Sequence, residues 1–100
     1  MVIHLVFWKM KPQADGRSGS ENAKIAVQKL NALNGVVPSA LAIEAGINFN
    51  SSPAAYDIGL CSRFNTKEDL DAYQKHSAHL HVAEWVANVT ESRAVADFEI

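Results

Sequence analysis

Apolar and polar positions alternate along some stretches of the chain and recur at helical spacing along others, which divides it into strands and helices. Val2 to Met10 is rich in β-branched and aromatic residues and too short for a typical helix, so it predicts a strand. Alternation puts Val2, His4, Val6, Trp8 and Met10 on one face and Ile3, Leu5, Phe7 and Lys9 on the other. Both faces are largely apolar, so neither is expected to be fully solvated. Lys11 to Ser20 is a turn-rich loop. Ser18 followed by Glu21 has capping-box spacing, in which the hydroxyl accepts from a free amide and the carboxylate reaches back; Ser20 is a rival cap. From there an amphipathic helix is predicted to Asn34, with Ala23, Ala26, Val27, Leu30 and Leu33 on its apolar face. Gly35 suits the left-handed turn that ends a helix, and Pro38 opposes its resumption.

Leu41, Ile43, Ala45, Ile47 and Phe49 alternate with Ala42, Glu44, Gly46 and Asn48, the pattern of a second strand. Asn50 to Pro53 is a turn, and Tyr56 to Phe64 a third strand. Thr66 with Asp69 opens a second helix, predicted to run to about Glu91 with a bend near Ser77. Its buried stripe is Val82, Val86 and Val89, with Ala83 and Trp85 beside it. Arg93 to Ile100 is expected to be a short last strand. The order β-α-β-β-α-β predicts one α+β domain over residues 1–100, ferredoxin-like, with a four-stranded antiparallel sheet and both helices on one face. The other sheet face then needs a cover, and the two-sided apolar strands point to a second subunit.

A chain of 100 residues can bury about two-thirds of the surface it exposes when unfolded, enough for one core. Nine Lys and Arg against eleven Asp and Glu give a net charge of -2, without the concentrated positive charge that sequence-independent nucleic-acid binding needs. The third strand also lacks the basic residue, glycines and stacking aromatics of an RNA-recognition module, so no nucleic-acid partner is expected. The single cysteine, Cys61, excludes an intrachain disulfide and fits a reducing compartment. No stretch approaches the roughly 20 apolar residues of a membrane span, and no signal segment opens the chain. A cytoplasmic protein with no membrane partner is expected.

Four histidines carry most of the chemical information, and His76, His79 and His81 fall close together. Residues three apart on a helix differ by about 60° in heading and those two apart by about 200°, so His76 and His79 can be neighbours while His81 points to solvent. His79 lies three residues before Val82, on the stripe that faces the sheet, with Tyr73 on broadly the same side. If the face bearing His4 is the one beneath the helices, His4, Tyr73 and His79 converge in an apolar pocket. A histidine there can move a proton, and a tyrosine hydroxyl can hydrogen-bond charge developing on a carbonyl oxygen. The structural reading is that the same groups are buried and satisfy one another and the backbone. His76 and His79 with Glu84 or Asp57 fall short of a metal site, since the His-Glu-x-x-His arrangement is absent, and no metal or cofactor is expected. Cys61 reads as a small packed side chain, Trp8 and Trp85 as core or interface, and Gly16 and Gly19 lack phosphate-loop spacing.

Tyr56-Asp-Ile through Phe64, the run Glu68 to His79 with Tyr73, His76 and His79, then Val82, Val86 and Val95-Ala-Asp97-Phe98 resemble the stress-responsive A/B barrel family. Ile3-His4-Leu5-Val6 and Gly46-Ile-Asn48 match it as well. The resemblance implies a homodimer whose two sheets pair into an α/β barrel with the helices outside. A plant polyketide cyclase of this family closes a ring by aldol-type chemistry, and the resemblance carries its pocket residues onto His4, Tyr73 and His79. Its further strand histidine corresponds to Ile58, and the family's His-Pro-x-His reads His76-Ser-Ala-His79, so cyclase specificity does not transfer. The expected function is binding of an apolar, carbonyl-bearing small molecule, with His79 as base, His4 as its partner and Tyr73 as donor if a reaction occurs. Val6, Trp8, Ile58, His76, Val82 and Val86 are the expected ligand contacts. The alternative is a non-catalytic stress or assembly protein with structural histidines.

Overall fold

The computed structural model describes residues 1–100. Its main sheet is built from β1 (Val2–Met10), β4 (Ala42–Ile47), β5 (Ile58–Phe64) and β6 (Thr90–Glu99), in the order β4-β5-β1-β6. All three pairings are antiparallel. Helices α1 (Gly19–Asn31), α2 (Lys67–Lys75) and α3 (Ser77–Val89) connect the strands. This is the ferredoxin-like α+β arrangement that the element order predicts, with β1 between β5 and β6 at the centre.

The core lies between the sheet and the helices. Val2, Val6, Trp8 and Met10 of β1, Ile43 of β4, and Ile58, Leu60 and Phe64 of β5 meet Ala23, Ala26 and Leu30 of α1, Leu70 and Tyr73 of α2, and Val86 and Val89 of α3. Each fully buried aliphatic or aromatic side chain here contributes about 1.5–3 kcal/mol. The opposite face carries Leu5, Phe7, Ala94, Ala96 and Phe98, in register across β1 and β6. No helix covers that face, and Phe7 and Phe98 remain 38% and 44% exposed.

Several boundaries differ from the sequence reading, each for a local reason. The Ser18–Glu21 capping box forms in both directions, so α1 starts at Gly19 and Ser20 is inside it. α1 ends at Asn31 rather than Asn34, and Gly35 takes a left-handed φ of +81° within the following turns. Asn31 bonds both the amide and the carbonyl of Ala45, and Asn34 accepts from the Ile43 amide, so two side chains cover the free edge of β4. The loop after β1 contains a small hairpin, β2 (Gln13–Ala14) and β3 (Arg17–Ser18), turning at Asp15 and Gly16 with both φ positive. Asp-Gly suits such a turn because glycine, and to a lesser degree aspartate, tolerates that geometry. At the other end α3 passes directly into β6 at Thr90, whose hydroxyl donates to the Val86 carbonyl, so the last strand starts three residues before Arg93.

Candidate functional site

The bend expected near Ser77 is a complete break between α2 and α3, and it is made by two histidines. His76 adopts an extended conformation, φ -66° and ψ 137°, and ends one helix while capping the next. Its Nδ1 accepts from the Ala78 amide at 3.1 Å. In an unbroken helix that amide would bond the Gln74 carbonyl. The carbonyl instead receives Nδ1–H of His79 at 3.1 Å. One ring thus takes the amide and the other supplies the carbonyl, which closes the break without a proline. The consequence for chemistry is a fixed tautomer: His79 holds its proton on Nδ1 and keeps Nε2 as an unprotonated acceptor.

His79 packs against Tyr73, with ring centroids 4.4 Å apart, and Tyr73 in turn lies 5.3 Å from Phe64 and 6.3 Å from His4. His4 is 2% exposed on β1 and faces the helices, so the three side chains meet between sheet and helices. β6 adds a group to which the sequence reading gave no role. Asp97 stands opposite His4 in the antiparallel register, and its carboxylate accepts from His4 Nδ1. That bond fixes the ring and leaves Nε2 as its free nitrogen. Val95-Ala-Asp97-Phe98 carried part of the family resemblance, but only the strand register assigns Asp97 to His4.

Burial sets the electrostatics. Desolvation lowers the pKa of His79, opposed by the Gln74 carbonyl bond and reinforced by His4, Arg93 and His76 nearby. At neutral pH the ring is therefore uncharged, the form that accepts a proton. Desolvation raises Tyr73 to about 12, so its hydroxyl stays a donor. Although Tyr73 is fully buried, its hydroxyl has no hydrogen-bond partner in the protein. A buried polar group without a partner is costly and uncommon.

A cavity of about 320 Å³ opens beside these groups. His4, Tyr73 and His79 line it, together with Val6, Trp8 and Val86 of the expected contacts. Ile58, His76 and Val82 do not line it: Ile58 is packed in the core, Val82 lies against it, and His76 is used at the helix break. The remaining wall includes Leu30, Leu60, Ala83 and Ala87, with Thr90, Glu91, Ser92 and Arg93 on the β6 side. The β6 contribution was invisible to helix periodicity, because it depends on how the last strand registers against β1. Nowhere in the fold do three or more His, Cys, Asp or Glu side chains gather as metal ligands would. No helix is long and apolar enough to cross a membrane.

Fold and site together define a ferredoxin-like α+β protein with a His–Tyr-lined cavity between its sheet and its helices. The model of the Stress responsive A/B Barrel Domain family matches residues 2–100, and the chain belongs to that family. Among solved structures, a dimeric ferredoxin-like protein of unknown function from Bacteroides fragilis is similar at 28% identity. It has a TM-score of 0.78, covering 99% of this chain and 95% of that one. A protein from Arabidopsis thaliana matches with TM-score 0.82 at 22% identity, covering 100% and 95% of the two chains. A hydroxynitrile lyase from Passiflora edulis gives TM-score 0.82 at 16% identity, covering 99% and 92%. These last two likenesses concern the fold. The comparison with curated proteins returned no match.

Proposed function

We propose that this protein is a cytoplasmic homodimer that binds an apolar, carbonyl-bearing small molecule between sheet and helices, and that His79 moves a proton on it. The observation that carries this reading is the buried Tyr73 hydroxyl, free of protein partners, on a ring packed against a histidine whose lone pair is on Nε2. A ligand carbonyl oxygen would give the hydroxyl its hydrogen bond. Nε2 of His79 would then take a proton from the carbon next to that carbonyl, and the electron pair would move onto the oxygen, where Tyr73 stabilises the charge. Returning a proton to carbon or passing it to His4 restores the site, and His4 is oriented for this by Asp97. No cofactor is needed for that sequence.

The dimer rests on the open sheet face, since apolar strands left bare by the helices call for a cover. The Bacteroides fragilis relative is itself described as dimeric. One observation favours the non-catalytic alternative: His79 also closes the α2–α3 break, so part of its role is structural.

Exchange of ketone α-protons in D2O separates the two. With a neutral aryl ketone such as butyrophenone as probe, the protein is expected to accelerate exchange at the position next to the carbonyl, measured by proton NMR. His79→Ala should abolish the acceleration and Tyr73→Phe reduce it by about a hundredfold or more, the usual cost of removing one stabilising donor. Circular dichroism verifies that each variant is folded. Exchange at the buffer rate with wild-type protein would leave the histidines structural.

A further inference from the structure

The cavity is electrically uneven. Its inner wall holds Val6, Leu60 and Val86, whereas its β6 rim holds Glu91 and Arg93. Arg93 stands opposite Trp8 in the β1–β6 register, on the cavity side of the sheet, and is itself exposed. The fold's four ion pairs are His4–Asp97, Arg17–Asp15, Lys67–Glu99 and Lys75–Asp71, so Arg93 has no carboxylate partner. Asp97 is committed to His4, and Glu91, on the same rim at the irregularity where β6 shifts register, does not reach Arg93. A guanidinium at a cavity mouth, presenting a planar fork of donors, is matched to a carboxylate.

Resting on the ligand reading above, we infer that the ligand is an oxo acid: an apolar body with its carbonyl at Tyr73 and a carboxylate held at the rim by Arg93. Arg93 determines specificity and takes no part in proton transfer. Tyr73 is fully buried in the cavity wall whereas Arg93 is exposed at the rim, so the carbonyl and the carboxylate sit several bonds apart in one molecule and not on adjacent carbons. Placing the anion at Arg93 also keeps a full carboxylate charge at the exposed rim and out of the desolvated part of the cavity.

The test uses a matched pair of probes, 5-oxo-5-phenylpentanoate and its uncharged amide, titrated into isotope-labelled protein and followed by NMR. The Trp8 indole signal reports occupancy of the cavity. Wild-type protein is expected to bind the acid about tenfold more tightly than the amide, the preference of a charge-assisted contact at a partly exposed site. Arg93→Gln should remove the preference while leaving amide affinity unchanged, and Arg93→Lys should keep part of it. Because Arg93 is exposed, neither variant is expected to disturb the fold. Equal binding of acid and amide by wild type, or a preference that survives Arg93→Gln, overturns the role of Arg93 and leaves the cavity reading intact. No binding of either probe, with the Trp8 signal unmoved, overturns the cavity reading and this inference together.

Discussion

The two faces of the one sheet present opposite problems. On the covered face, Phe64, Ile58 and Leu60 are sealed under the helices, and what stands out is polar: His4, Tyr73 and, half-buried, His79. On the open face Phe7, Ala94, Ala96 and Phe98 form an apolar strip along β1 and β6, beside the exposed Glu44 of β4 and Arg63 of β5. A polar group inside and an apolar group outside are each unfavourable unless something answers them. The His4–Asp97 and His79–Gln74 bonds answer two of the buried groups, but the Tyr73 hydroxyl is answered by nothing in the chain. The contrast teaches that each face is incomplete in the chemistry of what it lacks: a hydrogen-bond acceptor inside, an apolar surface outside.

The largest expected effect breaks the contrast from the outside. Leu5→Asp puts a charge in the middle of the open face, and light scattering should then read near the chain mass of 10.9 kDa instead of about twice that. A variant with the mass of the wild-type dimer would show that this face is not the interface. A smaller effect comes from pH. His79 binds its proton less readily folded than unfolded, because desolvation lowers its pKa. The stability this gives is complete above the unfolded value of about 6.5 and is lost as pH falls through the lower folded value. Denaturant titrations between pH 7.5 and 5 should show that loss in wild type and a flatter profile in His79→Gln; parallel profiles would contradict it. The smallest change sharpens the inner half of the contrast. Tyr73→Phe removes a hydroxyl that no protein group answers, so stability should stay level or rise by up to about 1 kcal/mol. A loss well beyond about 1 kcal/mol would show that the hydroxyl is structural after all.

Much of the architecture was legible because the signals are local. The two-sided apolar pattern of Val2–Met10, the Ser18–Glu21 box and the valine spacing of α3 each fix an element without reference to the rest. The Asp15–Gly16 hairpin is hidden within the Lys11–Ser20 loop, since two-residue strands leave no alternation to detect. Of the site, the common face of Tyr73 and His79 follows from helical spacing. Asp97 and Arg93 do not, because their places depend on the register of β6 against β1, which no periodicity within β6 reveals. The exchange of partners at the helix break was equally hidden. Helical spacing makes His76 and His79 neighbours on one helix, whereas the break turns one into a cap and gives the other a fixed tautomer.

The central claim is that a ligand carbonyl takes its hydrogen bond from the Tyr73 hydroxyl. The carbonyl stretch of a carbon-13-labelled aryl ketone bound to the protein, read by difference infrared spectroscopy, tests that most directly. The band should move to lower frequency in the wild-type complex and return toward its apolar-solvent position in Tyr73→Phe at equal occupancy. The same frequency in both complexes would contradict it.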